Sequence, residues 1–132
     1  MVDDDTANLQ VAGRILSSGN MRVTALRSGK ALLDYITKNG APDLILLDIN
    51  MPEMDGFEAM RRLRNMEREI ADIPVIFLTA DENAESESLG LSLGAMDFIK
   101  KPFVPEVLLT RVRHTIELIT LRRSLSDEAE RK

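Results

Sequence analysis

Residues 44–49, Leu-Ile-Leu-Leu-Asp-Ile, set five apolar side chains around one aspartate, Asp48. A run this short and this apolar has the character of a strand buried on both faces, as found in parallel sheets covered by helices on each side. Pro52 stops the run, and the polar residues and Gly56 after it make a loop. Asp48 therefore belongs at the carboxyl end of its strand, the rim where open parallel sheets hold their ligands. A chain built on such a strand must supply parallel neighbours and crossover helices.

The remaining segments supply them. Asp5 or Thr6 caps a first helix with Leu9, Ala12, Ile15 and Leu16 on one face, ending near Gly19. Residues 21–26 read as a strand. Ser28 and Gly29 open a second helix with Leu32, Leu33 and Ile36 inward, and Gly40 closes it where left-handed geometry is favoured. Asp55 and Glu58 have the spacing of a capping box, and Phe57, Met60, Leu63, Met66 and Ile70 give a third helix its buried stripe. Residues 74–78 form a fourth strand ending at Thr79 and Ala80. Residues 81–93 form a weak fourth helix, with three serines and Gly90 among few strong helix formers. Residues 96–100 make a fifth strand, and Pro105 suits the first turn of a last helix running past Leu121. This alternation predicts an α/β fold of three layers, a doubly wound parallel sheet of five strands. One domain over residues 1–121 is expected, followed by a helical extension or frayed linker over 122–132, with the tail after Ser126 frayed.

Composition narrows the function. At 132 residues the chain builds one core, and its net charge of −5 argues against nucleic-acid binding or a general affinity for anionic membranes. Without cysteine there is no disulfide framework, zinc-thiolate site or thiol chemistry. No apolar run reaches membrane-spanning length, and Met-Val-Asp-Asp-Asp is the opposite of a signal peptide, so a cytoplasmic location is expected.

Residues that end different strands of such a sheet become neighbours at its rim. Asp3 and Asp4 follow the first strand, Asp48 the third, Thr79 the fourth and Lys101 the fifth. Three carboxylates this close repel one another unless a hard divalent cation sits among them, and Mg2+ is the natural choice. With the Lys101 ammonium and the Thr79 hydroxyl, the cluster suits a phosphoryl group carried on a carboxylate.

These residues and their order resemble the receiver domain of two-component response regulators, the chemotaxis-regulator type of flavodoxin-like fold. The likeness runs from Val2-Asp3-Asp4 through Leu47-Asp48-Ile49-Asn50-Met51-Pro52 and Met54-Asp55-Gly56 to Thr79-Ala80 and Lys101-Pro102-Phe103. It implies strand order 2-1-3-4-5. It also implies that Asp48 is the phosphoacceptor for a phosphohistidine on a sensor histidine kinase or phosphotransfer protein. By the same resemblance Asp4 ligates Mg2+ directly and Asp3 through water, with Asp48 and the backbone carbonyl of Asn50 completing the set. Lys101 and Thr79 hold phosphoryl oxygens, and Phe98 is the switch aromatic that couples the site to the face of the fourth helix, fifth strand and fifth helix. Asn50 and Asp81 stand where the family tunes phosphoryl lifetime.

Plainer readings stand beside these. Asp48 alone is a strand-end residue bonded to loop amides, Asp3 and Asp4 a solvated acidic start, Thr79 a strand terminus and Lys101 a surface charge. Phe98 has the lesser alternative of an ordinary core aromatic. His114 reads as a helix residue, since one histidine builds no metal site. On the last helix Leu109, Val112, Ile116 and Ile119 face the sheet, while His114, Leu118, Leu121 and Leu125 repeat the spacing on another face. That second stripe suggests a homodimer through the last helix or a linker toward an output domain; alternatively, Leu118 widens the first stripe and the rest frays. Arg111, Arg113, Arg122 and Arg123 are a solvated face or an acidic-partner surface.

The first strand departs from the family, because only Met1 and Val2 precede the acidic pair. In an interior position this shortness is expected to leave backbone groups of the second and third strands unpaired. We read it as a truncated start rather than an adapted fold, with a strand from a second chain as the alternative, and expect lower stability than in a complete receiver. Three rivals remain: a haloacid dehalogenase phosphatase, which needs an acid where Asn50 stands; a flavodoxin, whose phosphate loop is missing; and a receiver that acts unphosphorylated as a dimerisation or interaction module.

Overall fold

The structure, a computed structural model, describes residues 1–67, 72–80 and 84–130. Within them the elements run α1 (Thr6–Ser18), α2 (Gly29–Asn39), β1 (Ile45–Asp48), α3 (Gly56–Arg64), β2 (Val75–Thr79), α4 (Ala84–Ser92), β3 (Asp97–Lys100) and α5 (Pro105–Glu130). The strands β1, β2 and β3 pair in parallel in that order, with Ile45 opposite Val75 and Phe77 opposite Phe98. Val2 bridges in parallel to Leu47 on one side and to Leu26 on the other. Across the sheet the sequence is thus Leu26, Val2, β1, β2, β3, which is the 2-1-3-4-5 arrangement with its first two members reduced to single bridges.

The expected strand over residues 21–26 is therefore corrected to a bridge at Leu26. Its neighbour explains this: Met1 and Val2 offer too little backbone to pair with six residues. What they offer is fully used. Val2 donates to the Leu46 carbonyl at 2.7 Å and accepts from Asp48 at 2.9 Å, while Asp3 donates to Leu26 at 3.0 Å and Leu26 to Met1 at 2.8 Å.

Side chains alternate across the sheet with the period of two that a strand imposes. Leu47, Val75 and Phe77 join Leu32, Ile36, Met60 and Leu63 on the side of α2 and α3. Leu46, Ile76 and Leu78 join Ala12, Leu16, Leu108 and Val112 on the side of α1 and α5. β1 and β2 are buried at every position, as strands covered on both faces must be.

Local chemistry sets the helix ends. Asp5 caps α1 by accepting from the Ala7 N–H, Ser28 caps α2 from Ala31, and Asp55 caps α3 from Glu58. The capping box is half made, because Glu58 turns to Arg62 at 3.1 Å. Helix α3 stops at Arg64, capped by Asn65, sooner than the stripe to Ile70 implies; Met66 lies past its end and Ile70 outside the described residues. Helix α5 runs to Glu130, so the backbone after Ser126 is helical where fraying is expected. Its inward face is Leu108, Val112, Thr115 and Ile119, about one residue round from the expected stripe, with Leu109 and Ile116 half-buried.

Candidate functional site

The rim above β1, β2 and β3 brings together the residues that end separate strands. Val2, clamped between Leu26 and Leu47, carries Asp3 into the rim, so two residues of strand suffice to place it. Lys101 follows β3, and its N–H donates to the Thr79 carbonyl at 2.8 Å, which joins the ends of β2 and β3. Gly56 lets the loop after Asp48 fold back onto the strand end. A Cβ there would lie 2.4 Å from the Asp48 carbonyl oxygen, and the Gly56 N–H donates to Ile49 at 2.8 Å.

Asp3 and Asp48 are both buried, and the Lys101 ammonium stands between them, with Nζ 2.9 Å from Asp3 Oδ2 and 2.9 Å from Asp48 Oδ1. The Asn50 N–H donates to Asp48 Oδ1 at 3.3 Å, and the Asp5 N–H to Asp3 Oδ1 at 2.9 Å. Asp4 is exposed at the mouth, and one carboxylate oxygen from each of Asp3, Asp4 and Asp48 lies within 4.8 Å of the others. Thr79 is buried at the end of β2.

One ammonium does not balance this charge. Burial pushes the Asp48 carboxyl up to about 6; hydrogen bonding and the charge of Lys101 oppose the shift, and Asp3 adds to it. Burial pulls the Lys101 ammonium down, but its hydrogen bonds to Asp3 and Asp48 and their charges leave it above its ordinary value. Asp48 Oδ2 is buried without a hydrogen-bond partner among the described residues. An orphaned carboxylate oxygen beside two further carboxylates is a donor set that fits a hard divalent cation, Mg2+ above all.

Away from the rim, β3 carries Phe98 half-buried, its ring centroid 5.6 Å from that of Phe77. Gly90 of α4 lies directly on this pair: a Cβ there would come within 2.4 Å of Phe98 Cζ and 3.0 Å of Phe77 Cδ2. In the sequence Gly90 looks like a mere weakness of the helix, and nothing in its spacing reveals the contact. The sequence groups Arg111 with a solvated or partner-binding face; instead its Nη1 lies 3.0 Å from both oxygens of Asp97 and ties α5 to β3. Asp81 falls outside the described residues.

The sequence profile of the response regulator receiver domain matches residues 1–113. The chain belongs to the response regulator receiver domain family. It is 38% identical over 128 residues to the response regulator MprA of Mycobacterium sp. strain KMS, covering 97% of this chain and 52% of that protein. It is 41% identical over 115 residues to a probable cyclic di-GMP phosphodiesterase of Vibrio cholerae, covering 87% of this chain and 25% of that one. Among solved structures, the chemotaxis protein CheY4 of Vibrio cholerae superposes with a TM-score of 0.79 at 31% identity, over 86% of this chain and 92% of CheY4. This receiver thus spans about half the length of the MprA relatives it matches. Membership sets aside the dehalogenase and flavodoxin alternatives. Receivers are in general not enzymes, and this chain covers 25% of the Vibrio relative that carries the phosphodiesterase name. Among the described residues no helix is long and apolar enough to cross a membrane.

Proposed function

We propose that this receiver is the phosphoacceptor of a phosphorelay and that Asp48 takes the phosphoryl group. The observation that carries the reading is the Asp48 carboxylate itself, buried at the rim with Oδ1 against Lys101 and Oδ2, beside Asp3 and Asp4, without a hydrogen-bond partner among the described residues. An Asp48 oxygen attacks the phosphorus of a phosphohistidine, the P–N bond breaks, the electron pair returns to the imidazole, and an acyl phosphate remains on Asp48. Lys101 and Thr79 face the oxygens of the arriving group and offset its charge as donors fixed in advance. Asp3, Asp4, Asp48 and the Asn50 carbonyl are the residues that would hold Mg2+, which when bound neutralises charge on the transferring phosphoryl group.

The donor is a sensor histidine kinase or a phosphotransfer protein, and the setting is the cytoplasm. Phe98 acts as the switch that reports the state of the rim to α4, β3 and α5, a reading supported by its seat beneath Gly90. Residues 1–121 act as the receiver unit and 122–132 as a helical extension of α5. Leu118, Leu121 and Leu125 are 38%, 56% and 58% exposed along that helix, which favours a homodimer through α5. Incubation with acetyl phosphate and Mg2+ followed by intact mass tests the phosphoacceptor reading. A phosphate adduct that disappears in Asp48→Asn supports it; no adduct under any condition favours a module that signals by interaction alone.

A further inference from the structure

Helix α3 begins at the rim, where Gly56 lies against the Asp48 carbonyl, and is seated on the sheet by Ala59, Met60 and Leu63. Its last residue, Arg64, is half-buried and reaches three carbonyls on two other segments with one guanidinium. Nη1 donates to Ile73, just ahead of β2, at 2.9 Å, while Nη2 donates to Gly94 at 3.3 Å and Nε to Leu93 at 3.4 Å. Leu93 and Gly94 directly follow the last turn of α4, where carbonyls run out of helical donors and a cation also offsets the negative end of the helix dipole. Gly94 takes φ +96°, and a Cβ there would lie 3.4 Å from Arg64 Nη2, so the chain turns closely around the guanidinium.

The rest of α4 is held loosely. Residues 85–89 are all exposed or half-buried, and the buried residue of the helix is Gly90, which rests on Phe98 and Phe77 about one turn before the clamp. We propose that Arg64 is a positioning residue that pins the carboxyl end of α4, so that the helix moves as a lever about Leu93 and Gly94. The clamp stands on its own geometry, and its use as a lever rests on the phosphoacceptor reading, in which Phe98 reports the rim to α4. A ring that shifts beneath Gly90 pushes close to the fixed end, so the displacement grows toward Ala84 and vanishes at Leu93. The planar fork of an arginine bonds the start of β2 and the end of α4 at once, which the point charge of a lysine does not reproduce.

The test follows amide exchange by NMR in the full chain, in Arg64→Ala and in Arg64→Lys, with the Phe77 amide of β2 as reference. Without phosphate, Arg64→Ala is expected to speed exchange at Leu93, Gly94 and Ala95 by about tenfold relative to Phe77, and Arg64→Lys to do nearly the same. Native exchange at these three amides in Arg64→Ala, a rise that Phe77 shares equally, or full rescue by lysine overturns the clamp; if Arg64→Ala does not fold, Arg64→Lys decides by the same three amides. With acetyl phosphate and Mg2+, the native chain is expected to change at Ser88 and Leu89 and not at Leu93 to Ala95, whereas in the variants the change spreads to the end of the helix. An equal change along the whole native helix overturns the lever. A chain that takes no phosphate by intact mass removes the phosphoacceptor reading and the lever with it, and the clamp is still decided by the comparison without phosphate.

Discussion

Asp48 is held in two incompatible ways, since the nucleophile must be ionised while its burial favours the proton. In the metal-free protein its carboxyl is raised from 3.8 to about 6. The proton on Asp48 thus contributes stability that is complete below the unfolded value of 3.8 and is lost as pH rises through about 6. At pH 7 the ionised group is a burden. Asp48→Asn is expected to raise metal-free stability at pH 7 by on the order of 1–3 kcal/mol, with the difference shrinking as pH falls from about 6 and gone below 3.8; chemical denaturation across pH reads this directly. Mg2+ should stabilise the native chain by mass action and the Asp48→Asn variant far less. Lys101→Ala should move the Asp48 titration, followed by carboxyl carbon NMR, above about 6, because the ammonium is what opposes the shift. At this scale Asp3, Asp48, Thr79 and Lys101 were legible, because strand ends in a parallel sheet share one rim whatever the distance along the chain. Gly90 and Arg111 were not: a glycine beneath a ring and an arginine that reaches a neighbouring strand leave no periodic trace.

Among the elements, two helices approach the sheet through glycines, and the neighbour each meets decides the cost of replacing it. A methyl at Gly56 meets backbone, the Asp48 carbonyl at 2.4 Å, and backbone yields little. Gly56→Ala is expected to cost about 2–4 kcal/mol and to disturb Asp48, which acetyl phosphate labelling would show as reduced. A methyl at Gly90 meets side chains rather than backbone, the Phe98 ring edge at 2.4 Å and Phe77 at 3.0 Å. Gly90→Ala should therefore cost less, about 1–2 kcal/mol, while displacing the Phe98 ring; faster amide exchange in α4 and altered aromatic chemical shifts at Phe98 are the observables. The Arg111–Asp97 pair is half-exposed, so Arg111→Ala should change stability by less than about 1 kcal/mol. Strands β1, β2 and β3 were readable to within a residue from apolar runs alone. The strand over 21–26 was not, because its existence depends on how much backbone its neighbour supplies, a tertiary quantity that its own sequence does not contain.

For the whole molecule, the layered order followed from five alternations of strand and helix and is retained even with the first two members cut to bridges. The last helix is where pattern and structure diverge most. Its buried face turned by a residue, and its leucine stripe runs outward along a helix that continues to Glu130. The proposed homodimer predicts a sedimentation mass that rises with concentration and stays monomeric in Leu121→Glu; a native chain that is monomeric at every concentration removes the dimer and leaves the extension as a connector. The central claim concerns one bond, the acyl phosphate on Asp48. The chain is phosphorylated with acetyl phosphate and Mg2+, reduced with borohydride, which turns an aspartyl phosphate into homoserine, and digested for peptide mass spectrometry. Homoserine at position 48 and at no other aspartate is the expected result; an unreduced Asp48, or homoserine elsewhere, contradicts the account.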